Sequence, residues 1–174
     1  MIRASAPGKV ILFGEHAVVY GRPALAVPVT QVKATATIQS APDDFWIDAP
    51  NLGLRFRLSE AAPDNPLAAA VLLTCARAGT RTPPSAALSV DSTIPIASGL
   101  GSGAAVSTAV VRAVAQFIGL SLTDAEVSAI VFETEKMLHG TPSGIDNTVV
   151  AYGLPVYFVT GQPPVPLRVA QPFQ

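Results

Sequence analysis

Three short segments stand out in this largely apolar chain, because their polar side chains could do chemistry together. They are residues 7–16, 95–105 and 135–147. Both histidines of the protein, His16 and His139, fall inside these segments. The segments combine carboxylates, a lysine and a glycine-rich turn, and this combination directs attention to phosphate chemistry.

The second segment contains a glycine-rich turn, residues 98–103, that opens directly into a helix predicted over residues 104–118. Such a turn presents unpaired backbone N–H groups and the positive end of the helix dipole, so it predicts an anion site, usually for phosphate. Ser102 adds a hydroxyl that could hold a phosphate oxygen or Mg²⁺. The same glycines would also suit a plain strand-to-helix turn with tight packing.

Other nucleotide-binding patterns fit this turn less well. Residues 99–104 match the G-x-G-x-x-G/A dinucleotide pattern, but the acid at the right distance, Asp124, lies in a helix-capping box. The ribose contact belongs instead at the end of a second strand. The G-x-x-x-x-G-K-[ST] sequence of a Walker-A loop does not occur.

Two carboxylates in the third segment, Glu135 and Asp146, flank a turn rich in Gly, Pro and Ser. A chain that reverses there could bring both acids to one point. Near a phosphate loop, one acid suggests a Mg²⁺ ligand and the other a base or a group that positions a hydroxyl. Taken singly, Glu135 could be a solvated helix-end charge, and Asp146 could cap the next short helix.

The first segment supplies Lys9 and His16. Lys9 precedes a strongly apolar run, so it could lie near the surface end of a core strand and neutralise phosphate charge or activate a substrate hydroxyl. His16 could donate a hydrogen bond to a substrate. The simpler alternatives are an exposed lysine and a turn residue.

The elements that must position these residues follow from the hydrophobic pattern. Strands are predicted over residues 27–38, 45–47, 54–58, 87–92 and 154–159. Helices are predicted over residues 67–77 behind an Asn65 cap, over 104–118, and from the Thr123 capping box to about residue 138. A loop or helix entry is expected over residues 139–147, with a short helical stretch after it, and a Pro-rich loop over residues 161–166.

Composition excludes several classes of protein. The chain has 174 residues, of which 49% are hydrophobic and 13% charged, which suits one ordinary domain with a sizeable core and argues against disorder. The net charge of -1 argues against nucleic-acid and polybasic membrane partners. The single cysteine, Cys75, excludes an internal disulfide framework and an all-Cys zinc site. With no signal peptide or spanning segment in the sequence, we expect a cytoplasmic protein.

Residues 6–21, 95–105 and 139–147, which overlap the three segments, resemble the motifs of the GHMP kinase superfamily in family order, and within it those of the mevalonate kinases. The resemblance implies a two-lobed α+β kinase whose first lobe, residues 1–174 here, has the ribosomal protein S5 domain 2-like fold. It also implies ATP and Mg²⁺ at the glycine turn. The implied reaction, in isoprenoid biosynthesis, converts mevalonate to 5-phosphomevalonate.

The resemblance also implies roles for individual residues. Asp146 would be the catalytic acid-base residue, paired with Lys9. Glu135 and Ser102 would hold Mg²⁺, and Glu15 and His16 would contact mevalonate. The ATP phosphates would lie at Pro95, Ser98, Gly99, Leu100, Gly101, Ser102, Gly103 and Ala104.

Two departures from the family pattern stand out. Gly103 occupies the place of a second serine that usually binds the metal. The family's third glycine-rich motif and its C-terminal lobe have no counterpart, so we expect a truncated chain, a separate C-terminal half or self-association as a homodimer. Alternatives are another GHMP kinase (of the phosphomevalonate, homoserine or galactokinase type), a non-catalytic nucleotide-binding remnant and, more distantly, an oxidoreductase.

Overall fold

Seven strands form one sheet in the computed structural model, which describes residues 1–95 and 97–168. The strands are β1 (Ile2–Phe13), β2 (Ala24–Ser40), β3 (Phe45–Ala49), β4 (Leu54–Arg57), β5 (Ala86–Ser92), β6 (Val156–Phe158) and β7 (Val165–Pro166). Their order is β4-β3-β5-β2-β6-β7, and β1 pairs with the free side of β2. All pairs are antiparallel except β3 with β5.

The long strand β2 organises the sheet. Its C-terminal half pairs with β5 and its first residues pair with β6, while β1 runs along its other side. The β1–β2 register shifts between Pro7 and Gly8, because Pro7 pairs with Lys33 and Gly8 pairs with Val29. This shift interrupts the ladder in the middle of β1, directly before Lys9.

Four helices accompany the sheet within the described residues. They are α1 (Pro66–Arg77), α2 (Ser102–Phe117), α3 (Asp124–His139) and α4 (Ile145–Tyr152), and single 3₁₀ turns cover Val18–Tyr20, Pro50–Leu52 and Leu58–Glu60. Helix α2 is central, since it packs against β1, β2 and the three other helices. The strands and helices confirm the predicted α+β class. Among the described helices, none is both long and apolar enough to cross a membrane.

Small residues let α2 lie close to the sheet. Ala105, Ala109 and Val110 of α2 are buried in the same cluster as Ala34 and Ala36 of β2. Their short side chains leave the two backbones close together, at the density usual for protein interiors. Helix α2 therefore has a fixed position, and so does the glycine turn at its N-terminus.

Several local predictions are confirmed. The Asn65 side chain accepts hydrogen bonds from the backbone N–H groups of Leu67 and Ala68 at the start of α1. The Thr123–Glu126 capping box is present at the start of α3. Cys75 is buried, and burial raises the pKa of its thiol, as expected for a small hydrophobic residue in a core.

The segment predicted as a loop or helix entry contains the start of α4, and two other predictions are wrong. Helix α4 begins at Ile145, directly after Gly144, whose left-handed φ of 89° suits glycine. The Pro-rich segment contains β7, which pairs with β6. Lys9 lies in the middle of a long strand rather than near its surface end.

The capping box gives a pH-dependent prediction for Glu126→Gln. A hydrogen bond from Arg77, with further hydrogen bonds from Thr123, lowers the pKa of Glu126 from 4.5 to about 2. A carboxyl with a lowered pKa stabilises the fold above its unfolded value, and the stabilisation is lost as the pH falls through the folded value. The variant should therefore unfold at lower urea concentration at neutral pH, and the difference should shrink between pH 4.5 and about 2. A stability difference for Glu126→Gln that stays constant between pH 4.5 and about 2 would contradict the assignment.

Candidate active site

The three segments converge at one face of the molecule, where the chain places a buried ion pair. Lys9 Nζ lies 3.0 Å from Asp146 Oδ1, and the lysine side chain is only 6% exposed. The pair joins the middle of β1 to the first turn of α4. A buried lysine is costly without a partner, so this geometry rejects the alternative of an ordinary exposed lysine.

The backbone of Lys9 is held by the glycine turn. Its N–H donates to the carbonyl oxygen of Leu100 at 2.9 Å, at the point where β1 and β2 lose their register. Gly8 allows this approach, because a Cβ there would lie 3.2 Å from the Leu100 oxygen and 3.1 Å from Val32 Cγ2. The interruption of the ladder thus places Lys9 against the glycine turn.

The turn itself needs left-handed backbone at several positions. Gly99 and Gly101 have φ of 74° and 68°, and Ala97 has φ of 55°, the one positive value at a non-glycine residue within the described chain. The Ser98 hydroxyl donates to the Pro95 carbonyl oxygen at 2.8 Å, which closes the turn on itself.

The N-terminal turn of α2 carries free backbone donors. Its first intrahelical bond runs from Ala105 N–H to the Gly101 oxygen, so the N–H groups of Ser102, Gly103 and Ala104 have no helical partner. Together with the helix dipole, these groups favour an anion beside the Lys9 ammonium.

Glu135 lies under this turn as a buried carboxylate. It is 3% exposed, and its Oε1 atom has no hydrogen-bond partner among the described residues. A Cβ at Gly103 would lie 3.0 Å from this oxygen, so glycine lets the carboxylate approach the start of α2. Burial raises the pKa of Glu135; positive charge on His139 opposes this shift, and Asp146 adds to it.

Helix α4 fixes Asp146 through its neighbours. The amide of Asn147 donates to the Ser128 carbonyl oxygen at 3.0 Å and to the Ser128 hydroxyl at 2.9 Å, which attaches α4 to α3. Thr148 donates to the Gly144 oxygen at 2.6 Å within the first turn. Asp146 is therefore rigidly presented, with its side chain about one-third exposed at the ion pair.

Two hollows meet at the ion pair. The first, which we term the loop hollow, has a volume of about 210 Å³ and is lined by residues 97–103 together with Pro95. The second, the acceptor hollow, has a volume of about 250 Å³ and is lined by Glu15, Val18 and residues 142–147, among others. Four side chains line both hollows: Lys9, Glu135, His139 and Asp146.

A third cavity lies beside the loop hollow and was not predicted from the sequence. It has a volume of about 320 Å³, is mainly apolar, and shares Pro95 and Ser102 with the loop hollow. The complete lining is Ala49, Asn51, Leu67, Val90, Ser92, Thr93, Ile94, Pro95, Ser102 and Val106. The Asn51 amide donates to the Ser92 carbonyl oxygen at 2.8 Å, which orients that side chain at the wall.

Two residues assigned from the sequence lie apart from the hollows. His16 is exposed in the turn that follows β1, and it is not among the lining residues, whereas its neighbour Glu15 is. Ala104 is 1% exposed within the core cluster, so only its backbone N–H can face a ligand.

His139, to which the sequence analysis gave no role, lines both hollows. Its spacing of four residues from Glu135 on one helix was the available signal in the sequence.

The donor set fits a magnesium ion that is completed by phosphate and water. The described residues contain no cluster of three or more His, Cys, Asp or Glu side chains that could hold a metal by themselves. Mg²⁺ commonly binds one or two carboxylates plus substrate phosphates. The unpartnered Oε1 of Glu135, close to the start of α2, is a suitable first ligand.

Gly101→Ala should destabilise the protein more than Gly99→Ala. Both glycines are left-handed, so both variants carry backbone strain of about 1–2 kcal/mol. A Cβ at Gly101 would also lie 2.7 Å from Lys9 Cγ, whereas a Cβ at Gly99 meets nothing within 4 Å. Overpacking against the buried lysine should add about 1–3 kcal/mol to the loss, measured by urea unfolding. Equal losses in the two variants would show that the turn does not press on Lys9.

Comparison with known proteins assigns the class. The family model for the GHMP kinases N terminal domain matches residues 65–153, slightly more than half of the chain. The chain therefore belongs to the GHMP kinase family, and the predicted fold of this domain is confirmed. A single domain over residues 1–174 stays a prediction, since the match does not extend over the whole range.

Mevalonate kinases are among the relatives. The enzyme of Thermococcus sibiricus is 37% identical over an alignment 175 positions long. The alignment covers 92% of this chain and 52% of that one. The enzyme of Pyrococcus furiosus is also 37% identical, with 91% and 52% covered. The crystal structure of the Methanococcus jannaschii mevalonate kinase superposes with a TM-score of 0.86 at 26% identity, covering 97% of this chain and 56% of that one. The chain spans about half the length of the curated relatives it matches.

Proposed function

We propose that this chain carries the catalytic N-terminal part of a mevalonate kinase, which transfers the γ-phosphoryl group of ATP to the C5 hydroxyl of mevalonate. The observation that carries the proposal is the Lys9–Asp146 pair, which lines both the loop hollow, whose backbone donors suit phosphate, and the acceptor hollow. The similarity to mevalonate kinases at 37% identity supports this substrate over the other GHMP substrates.

The donor side of the reaction would occupy the loop hollow and the apolar cavity. The free N–H groups of residues 102–104 and the Lys9 ammonium suit the ATP phosphates. The apolar cavity shares its wall with the loop hollow and suits a flat base, with Asn51 and Thr93 as polar groups at its edge. We assign Pro95, Ser98, Gly99, Leu100, Gly101 and Ser102 to the walls around the phosphates.

The acceptor side would place the substrate hydroxyl at Asp146. Its carboxylate accepts the hydroxyl proton as the oxygen bonds to the γ-phosphorus and the bond to the ADP oxygen breaks. Lys9 stays within 3.0 Å of Asp146 and stabilises the negative charge that develops on the transferred group. Glu15 lines the acceptor hollow and would contact mevalonate. A contact from the exposed His16 stays a prediction.

Magnesium would be held by Glu135, with Ser102 at the phosphate side. When bound, the ion neutralises phosphate charge and polarises the transferred group. Because Gly103 lacks a side chain, the hydroxyl available in this turn is that of Ser102, and water would complete the shell.

Further partners and the location of the protein also stay proposals. A C-terminal half that closes over the nucleotide, supplied as a separate polypeptide, is one source of a complete enzyme, and self-association as a homodimer is another. Nucleic acid and membranes are not expected as partners, and the cytoplasm is the expected compartment.

The test is ADP release by the purified chain with ATP, Mg²⁺ and mevalonate. We expect ADP release that depends on mevalonate and not on galactose, homoserine or phosphomevalonate. The chain alone and the chain with a relative's C-terminal half added should be compared, because closure over the nucleotide excludes water. ATP binding without turnover in either form would favour the non-catalytic nucleotide-binding alternative. Turnover with another of the three acceptors would replace mevalonate as the substrate.

A further inference from the structure

His139 lies beside the three residues that carry the proposed chemistry. Lys9, Glu135 and Asp146 each line both the loop hollow and the acceptor hollow, and His139 is the fourth side chain to do so. Under the proposed function, on which this inference rests, the phosphoryl group passes from one hollow to the other. A side chain that lines both hollows is therefore beside the group during transfer.

The imidazole is available for a ligand. His139 is the last residue of α3, and its Nε2 lies 3.8 Å from Glu135 Oε2, which is beyond hydrogen-bond length. Its side chain is 63% exposed, whereas that of Glu135 is 4% exposed. The ring is thus largely exposed, within ion-pair distance of the carboxylate, and its N–H groups are not held by a hydrogen bond to that carboxylate.

The packing of α3 on α2 places His139 across from the backbone donors. A Cβ at Gly103 would lie 3.2 Å from Leu138 Cδ1 and 3.0 Å from Glu135 Oε1, so the last turn of α3 contacts the first turn of α2. Ser102 and Gly103 at the start of α2 line the loop hollow, and so does His139. Donors on several sides of a phosphoryl group distribute the stabilisation over its oxygens.

We propose that His139 is a further catalytic residue, which donates a ring N–H to an oxygen of the transferred phosphoryl group. The ring keeps its proton throughout, because the hydroxyl proton goes to Asp146 and the leaving group departs as ADP. Neutral imidazole carries one N–H and the imidazolium carries two, so a donor is present in either protonation state.

The test compares His139→Leu with His139→Gln, which retains an N–H donor. Titrations with Mg²⁺ present should use AMP-PNP, which has a γ-phosphoryl group, and ADP, which lacks it. We expect His139→Leu to weaken AMP-PNP binding about tenfold, with ADP binding unchanged, and to lower kcat about 10²-fold, as the loss of one such donor does elsewhere. His139→Gln should retain more of both. Lys136→Gln, in the same helical turn and facing Glu133, should behave like the wild type.

Each result has a distinct meaning. Equal weakening of AMP-PNP and ADP by His139→Leu, or no change in either binding or kcat, would overturn the role of His139 and leave the proposed function standing. A wild-type chain that binds neither nucleotide would overturn the proposed function, and this inference with it. The melting temperatures of all three variants should match that of the wild type, because the side chains of His139 and Lys136 are both exposed.

Discussion

Asp146→Asn should lower kcat for mevalonate-dependent ADP release by about 10²–10⁴-fold, the usual contribution of a positioned general base. Asparagine has nearly the same size and can still accept a hydrogen bond from Lys9, but it cannot take the hydroxyl proton. Nucleotide affinity should stay close to the wild-type value, because the phosphate donors belong to the glycine turn and α2.

The measurement needs a control for folding, because the substitution leaves the Lys9 ammonium without its counter-charge. Lys9 is 5% exposed, so the loss of its partner should cost about 1–3 kcal/mol in the free energy of unfolding. The double variant Lys9→Met with Asp146→Asn should recover much of that stability and none of the activity. Asp64→Asn, an exposed position before α1, is the control for the charge change and should leave turnover intact. Near-normal turnover in Asp146→Asn would remove Asp146 from the chemistry.

Glu135→Gln should stabilise the free protein at neutral pH and weaken its response to Mg²⁺ with AMP-PNP. Burial raises the pKa of Glu135 above 4.5, so the folded state binds a proton more tightly than the unfolded state. Stability is then lost as the pH rises from 4.5 through the raised folded value. Glutamine does not ionise, so the variant does not undergo this loss. Its free energy of unfolding should exceed that of the wild type by about 1–3 kcal/mol, because it has no poorly solvated charged group.

Urea unfolding at a series of pH values tests the first part of this prediction. The free energy of unfolding of Glu135→Gln should exceed that of the wild type by an amount that increases as the pH rises above 4.5. Mg²⁺ with AMP-PNP should then raise the melting temperature of the wild type much more than that of Glu135→Gln, because bound ligand stabilises by mass action. A parallel pH dependence of the two proteins, or an equal response to Mg²⁺, would contradict the assignment.

Local signals in the sequence were sufficient to predict most of the helices and the glycine turn before α2. Asn65 and Thr123 are cap residues, and each caps the predicted helix. The glycines at 99 and 101 are required by left-handed backbone, which is a property of single residues. Such features depend on residues that are adjacent in the sequence, so they can be predicted from the sequence alone.

Features that depend on distant pairing were not predictable in this way. The burial of Lys9 follows from a register shift between β1 and β2, and from a hydrogen bond to Leu100, which is far away in sequence. The apolar cavity is lined by residues of several elements, from Ala49 to Val106, and no single segment reveals it. The role of His139 became visible only when both hollows were described.

The hydrogen bond from the Lys9 N–H to Leu100 couples a strand to a loop, with a consequence for dynamics. An excursion of the glycine turn away from β1 must break this bond, and the Lys9 amide then becomes open to exchange with solvent deuterium. Its exchange rate therefore reports the opening of the loop rather than fraying of the sheet. If a bound nucleotide slows the exchange of this amide, the decrease in rate measures how strongly the ligand holds the glycine turn against β1. The measurement does not require turnover.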